Sequence, residues 1–298
     1  MNLIKVVTQK LHAGNVLLAM DADNNNKLNK LKDSLEAILI DYLERKLPLR
    51  RIVFLSSILK MASHELDSFK KVTKRIITEQ KTDGGWVDCE DTAWNIFFLS
   101  SQDNYSVNRS KAIEWLNSER PSKFGWGFCK RDYSNIPITS QVLLLVPELR
   151  NLPEFKWIFN EWNKDINSPI NLNYKGAWYL LLMSTQNLSL DYEAFNIKQT
   201  EAYLIQEQRD DGGWGPWKNH PAISDPFITG LCSLALSNSF KITHTKEILV
   251  SLYKSIKWFE SNQLENGLFP THYIEEGSAW CYFGWQMALN TVYEGYSS

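Results

Sequence analysis

The sequence is poor in the features that announce many common chemistries. Its 298 residues hold four cysteines, Cys89, Cys129, Cys232 and Cys281, with neither a Cys-x-x-Cys pair nor the dense spacing of a disulfide-stapled domain. That pattern predicts a reduced, cytoplasmic chain. Charge of either sign is scarcely in excess: 32 Lys and Arg against 34 Asp and Glu leave a formal net charge of -2. The basic surplus that a nucleic-acid backbone demands is missing, so nucleic acid is not an expected partner. The longest apolar runs, such as residues 96–99 and 142–146, fall far short of the roughly 20 residues of a membrane-spanning helix. No basic head with an apolar stretch and cleavage site opens the chain, although peripheral contact with a membrane stays open. There is no P-loop, dinucleotide-binding glycine pattern, catalytic triad or His-Glu-x-x-His helix.

Strict alternation of apolar and polar residues is nearly absent too, whereas helical spacing recurs, so the chain reads as all-α. Leu35, Ile38, Leu39, Tyr42 and Leu43 form one apolar stripe, with Asp33 and Glu36 as a capping pair and Pro48 as the stop. Ile248, Leu249, Leu252, Ile256 and Phe259 form another, entered after Thr245. The polar stretch over residues 21–26 predicts a non-helical break. Rings, by contrast, are abundant: 12 Trp, 12 Tyr and 14 Phe exceed what a helical core needs, so rings pack against, or line, something.

Internal repetition organises the chain. Gln80-Lys-Thr-Asp83-Gly84-Gly85-Trp86 returns as Gln208-Arg-Asp-Asp211-Gly212-Gly213-Trp214 and, weaker, as Gln263-Leu-Glu-Asn266-Gly267-Leu268-Phe269. Phe124-Gly125-Trp126 keeps only the glycine and the ring. Trp86, Trp126 and Trp214 lie 40 and then 88 residues apart, which leaves room for a missing copy near Glu161-Trp162. An amphipathic helix precedes each turn and an apolar helix follows it. About six such hairpins predict a single (α/α)6 barrel over residues 1–298, with the repeats clearest over 70–290. Glycine suits the turn because it adopts positive φ at little cost. The Gln and Trp are expected to clamp neighbouring repeats by hydrogen bonding and stacking.

These turns resemble the QW-type repeats of squalene–hopene and oxidosqualene cyclases, class II diterpene cyclases and protein prenyltransferase β subunits. In that superfamily the repeats are structural. A second resemblance lies at Asp88-Cys89-Glu90-Asp91-Thr92-Ala93, similar to the Asp-x-Asp-Asp-Thr-Ala of class II terpene cyclases, whose middle Asp protonates an alkene or epoxide. The resemblance places Glu90 at that acid and Asp88 and Asp91 beside it. The departure falls on the proton donor, where the extra methylene moves the carboxyl by about a bond length, and proton transfer depends on close positioning.

Such chemistry needs crowded carboxyls because an alkene is a feeble base. Acids that cannot all ionise keep a proton on one of them. The cation formed needs rings that stabilise it through their negative faces, and Trp94, Trp178, Phe227, Trp280 and Phe283 are the candidates on the apolar helices. The bland reading is that these acids cap and charge a helix N-terminus. Asp225-Pro226 opens another apolar helix, where Asp225 is either a cap or a second acid, base or magnesium contact. Lys130-Arg131 and Arg50-Arg51 are either solvated surface or a diphosphate site. Zinc is not expected, since Glu276-Gly277-Ser278 puts a serine where a zinc-holding prenyltransferase has its thiolate, and His272 with Cys281 reads as packing.

The leading expectation is therefore a terpene-cyclase-like enzyme acting on a hydrophobic isoprenoid, with Mg2+ only if the substrate is a diphosphate. The resembled cyclases place their cavity between two barrels, so a homodimer or a partner chain is an expected way to close the site. Two other classes compete: a non-catalytic barrel that binds a partner, and an α/α-barrel enzyme acting on another substrate such as a carbohydrate through paired carboxylates, Asp88 or Glu90 against Asp225.

Overall fold

The computed structural model describes residues 14–62, 66–100, 103–121, 124–168, 171–185 and 196–297. Among these residues there are twelve α-helices, two short 3-10 turns and no strand. In chain order the helices are α1 (Gly14–Glu44), α2 (Leu49–Met61), α3 (Phe69–Glu79), α4 (Cys89–Leu99), α5 (Ser106–Ser118), α6 (Ile136–Leu145), α7 (Leu152–Asp165), α8 (Asn173–Ser184), α9 (Ile197–Glu207), α10 (Pro226–Thr243), α11 (Lys246–Asn262) and α12 (Ile274–Ser297). No helix of the described residues is long and apolar enough to cross a membrane.

The helices fall into two compact units. One takes the described residues of Ile38–Asn171 and Thr185–Leu188, the other those of Met1–Ala37, Leu172–Ser184 and Ser189–Ser298. In the first, α2, α4 and α6 pack side by side, with α3 and α5 against them and α7 against α6. In the second, α8, α10 and α12 form the corresponding row, and α9 and α11 pack on it. Composition explains the division of labour. Nine of the eleven residues of α4 are buried, from Cys89 to Leu99, so this helix is apolar nearly all round. On α3 only Phe69, Val72, Thr73 and Ile76 are buried, a single stripe at helical spacing.

The repeat turns connect the two kinds of helix. Gly84, Gly125, Gly212 and Gly267 all have positive φ, between 75° and 100°. Gly84 and Gly212 also abut the backbone of Lys111 on α5 and Lys254 on α11, the amphipathic helices of the following repeats, where a Cβ would collide. The glutamine is the clamp between repeats. Gln80 Nε2 donates to its own turn at Gly84 O (2.7 Å) and across to Asn108 O on α5 (3.0 Å). Gln208 does the same with Gly212 O and Ser251 O on α11 (2.8 and 2.9 Å). Gln263 does so with Gly267 O and Lys27 O on α1 (2.8 and 2.9 Å). The tryptophan, expected to share that task, instead ties the turn to its own preceding helix: Trp86, Trp126 and Trp214 donate from Nε1 to Ile76 O, Leu116 O and Leu204 O (3.1, 2.9 and 2.8 Å). Gln208 is buried, and Ser251 Oγ also donates to its Oε1. Gln208→Ala is therefore expected to cost about 2 kcal/mol, because it strands buried partners. Urea denaturation checks this, and an unchanged midpoint would refute the clamp.

The decayed copy at Phe124-Gly125-Trp126 is more complete than its sequence indicates. Arg120 occupies the place of the glutamine, six residues before Trp126. Its Nη1 donates to Glu154 Oε1 on α7 (2.6 Å), and Glu154 Oε2 accepts the Gly125 N–H (2.7 Å). The guanidinium lies 4.2 Å above the Trp126 ring centroid. The missing copy is not at Glu161-Trp162, which sits inside α7 with Trp162 fully buried.

The N-terminal expectation is corrected as well. Residues 21–26 are helical, part of α1, and Asp33 lies in the body of that helix rather than at its cap. Tertiary bonding overrides the weak helix propensity of the Asp and Asn run. Asn24 is fully buried, accepting from Trp285 Nε1 (3.1 Å) and donating to Glu260 Oε1 (3.0 Å), while Asp23 pairs with Lys27 one turn on (2.9 Å).

Candidate active site

The acidic hexapeptide forms the start of α4. Asp88 is the N-cap, and its Oδ1 accepts the Asp91 N–H at 2.8 Å, so the capping reading holds for that residue. Glu90 and Asp91 occupy the first turn, where the helix N-terminus favours negative charge. Cys89 N–H donates to Phe128 O (2.8 Å), fixing this end of α4 to the loop of the next repeat. The Cys89 thiol is buried, and burial pushes it up to about 12, so it stays protonated and inert.

The three carboxylates converge on one cation. Arg50, in the first turn of α2, donates from Nη1 to Asp88 Oδ2 (2.9 Å) and from Nη2 to Glu90 Oε2, and its Nε lies 3.4 Å from Asp91 Oδ1. The Arg50-Arg51 pair is thus spent internally. Arg51 donates to Tyr42 Oη (2.8 Å) and stacks on that ring, while Lys130 and Arg131 are exposed. Burial works against the Arg50 charge, yet Glu90, Asp91 and Asp88 outweigh it and hold the guanidinium more firmly protonated than usual.

One cation cannot neutralise three anions. Burial first, then Asp88 and Glu90, push Asp91 up to about 7 against the pull of Arg50. Burial likewise raises Glu90, opposed by Arg50 and by a hydrogen bond from Gln141, and assisted by Asp88. Near neutral pH the cluster therefore retains a proton. A cavity of about 350 Å3 adjoins it, lined among others by Leu49, Arg50, Lys81, Trp86, Asp91 and Asn95. Among the described residues no group of three or more His, Cys, Asp and Glu is arranged to hold a metal ion.

The predicted ring positions divide between the two units. Trp94 lies one turn beyond Glu90, buried, edge-on to Phe54 (centroids 5.3 Å) and bonded through Nε1 to Gln141 Oε1 (3.0 Å). Trp178 and Trp280 are buried together in the other unit, edge-to-face at 5.4 Å, with Phe227 6.1 Å from Trp280. Phe283 is half-buried on α12. Asp225 is the N-cap of α10 and accepts the Ile228 N–H (3.0 Å), and burial raises its pKa against that bond. Ser278 accepts the Phe269 N–H (2.9 Å), the bond that Thr92, Thr139 and Thr229 make in the other repeats, and Cys281 donates to Pro226 O (3.2 Å). Both are structural contacts of this kind.

Sequence reasoning passed over Gln141 and undervalued Arg50. Gln141 is the lone amide of α6, set between Thr139-Ser140 and a run of apolar residues, and that position was its signal. Arg50 carried no local signal, because its partners lie 38 to 41 residues away.

With this geometry in hand, similarity to known proteins becomes interpretable. No family model matches the chain. A squalene–hopene cyclase of Zymomonas mobilis is 22% identical over 238 residues, covering 66% of this chain and 34% of that protein. The chain thus spans about a third of the length of this curated relative. Among solved structures, the type II terpene cyclase MstE of Scytonema matches with a TM-score of 0.64 at 13% identity, over 89% of this chain and 99% of that one. A variant of MstE bound to its product, merosterolic acid A, matches with a TM-score of 0.67 at 13% identity, over 90% of this chain and 99% of that one. A protein from Actinoplanes matches with a TM-score of 0.66 at 12% identity, over 89% and 99%. The likeness shows the fold, the α/α-barrel fold of type II terpene cyclases that the repeats predict.

Proposed function

We propose that the chain is a protonation-initiated terpene cyclase in which Glu90, tuned by Arg50, Asp88 and Asp91, delivers a proton to an alkene or epoxide of an isoprenoid. The observation that carries this reading is the convergence of three carboxyls on one guanidinium at the N-terminus of α4, in a chain with the fold of type II terpene cyclases. A solved cyclase of that type is matched over 99% of its length at 13% identity, which supports the fold on which this reading rests.

In the first step the alkene π pair takes the proton, a C–H bond forms, and a cation appears on the more substituted carbon. A neighbouring alkene then attacks that cation, a ring C–C bond forms, and the last cation is discharged by loss of a proton from an adjacent carbon to water. The carboxylate left behind is stabilised by Arg50; two charges about 4 Å apart attract by roughly 4 kcal/mol at an effective dielectric constant of about 20. Trp94, one turn beyond Glu90 on α4, is the ring proposed to hold the spreading charge. Because the proton opens the reaction, no metal enters it. Mg2+ would be needed only to accompany a diphosphate.

MstE is solved with geranylgeranyl dihydroxybenzoate as substrate, so an isoprenoid chain on an aromatic head is the first substrate class to try. The experiment incubates the protein with that compound and with polyprenyl diphosphates of several lengths, with and without a metal chelator. Cyclic products that persist under chelation are expected. No cyclic product from any of them would overturn the reading.

A further inference from the structure

We infer that Gln141 is a positioning residue that aims the Glu90 carboxyl, and that the Trp94 indole N–H sets which way Gln141 faces. The inference deepens the proposed function and rests on it. An indole N–H can only donate, and Trp94 Nε1 lies 3.0 Å from Gln141 Oε1 in a buried contact between α4 and α6. The amide oxygen is thereby committed, and the amide N–H2 is the group left to face Glu90. Gln141 acts on the Glu90 carboxyl in the direction a donor would, lowering its pKa against the larger effect of burial, and at 4% exposure it has little water to bond instead.

The groups facing Glu90 are Arg50 from α2, Gln141 from α6, and Asp88 and Asp91 from its own turn. Arg50 and Gln141 both present donors, and Arg50 occupies a lone pair of Glu90 Oε2. A proton carried by Glu90 has to point away from both. The same two donors favour the anion, which makes the protonated form the stronger acid. A cyclase that must protonate an alkene needs both properties. The tryptophan expected to serve as a ring thus acts also through its N–H.

The test follows Glu90 directly. In protein labelled with isotopic glutamate, the Glu90 carboxyl carbon, assigned by its loss in Glu90→Gln, is titrated by NMR in the wild type, Gln141→Leu and Trp94→Phe. Removing the donor is expected to move the Glu90 midpoint up by about one pH unit, and freeing the amide to turn its oxygen towards Glu90 should do the same. Initial rates on whichever substrate is turned over should fall, with kcat affected more than KM. An unmoved Glu90 midpoint in a folded variant overturns the inference regardless of turnover. If Gln141→Leu does not fold, Trp94→Phe, which keeps a ring in the same place, decides. A shifted midpoint in a protein that cyclises nothing upholds the positioning role and refutes the proposed reaction.

Discussion

Glu90→Gln is expected to lower cyclisation by about a thousandfold or more, in the range lost when a positioned general acid is removed, while leaving the protein folded. Glutamine keeps the shape and the bond from Arg50 but has no proton to give. Arg50→Met should lower turnover by a comparable hundred- to thousandfold for the opposite reason, since the acid keeps its proton but its conjugate base loses the stabilising cation. Stability separates the two. Asp91 is raised from 3.8 to about 7, so the folded state holds its proton more tightly than the unfolded chain. Its contribution is full below 3.8 and is lost as the pH rises through about 7. The interval sets a ceiling of roughly 4 kcal/mol on that loss. Arg50 opposes the shift, so Arg50→Met should steepen the loss of stability between pH 5 and pH 8, and Asp91→Asn should flatten it. Denaturation midpoints at those two pH values provide the measurement. Parallel behaviour of all three proteins would dismiss the coupled cluster.

Gly284→Val is expected to abolish folding, and Gly284→Ala to cost more than about 3 kcal/mol. In a helix interior alanine is ordinarily better than glycine by about 1 kcal/mol, so the sign depends on what the new methyl meets. A Cβ on Gly284 of α12 would land on the carbonyl oxygen of Gly230 in α10, and one on Gly230 would meet the backbone of Trp280 and Cys281. Backbone cannot rotate aside as a side chain can, so the two helices would have to part along a row that also buries Trp280 and Cys281. Gly295→Ala on the same helix makes a useful contrast. Its Cβ would meet the Leu249 methyls and the edge of the Phe240 ring, side-chain atoms that can shift, and a small effect is expected. Equal costs at both sites would show that the α10–α12 contact is not limiting.

The two kinds of helix and the repeat turns were legible in the sequence because period and positive-φ glycine are local properties. Asp88 could be read as a cap and as a member of an acid cluster, and it is both: one oxygen holds the Asp91 N–H and the other faces Arg50. Long-range pairing was not legible. Nothing near residue 24 indicates that Asn24 will bond Trp285 and Glu260, so a helix read as a break. Arg50 looked like surface because its three partners are supplied by another helix. Gln141 could have been suspected as a buried amide in apolar sequence, but its partners could not.

The joint at Arg120 has a meaning of its own. Where a turn reaches its neighbour through Gln80, Gln208 or Gln263, its donor lands on a backbone carbonyl, and any residue at that place supplies one. That backbone bond is generic, like a plug that fits every socket, and Asn108 Nδ2 and Ser251 Oγ add side-chain bonds to the Gln80 and Gln208 amide oxygens. Arg120 reaches a carboxylate instead, and only Glu154 offers it. That coupling is keyed: a hairpin moved from elsewhere in the chain to follow α5 would find no counterpart, whereas the glutamine turns would accept a stranger. At this joint the order of hairpins is thus written into the chain by a charged pair of side chains that would have to change together.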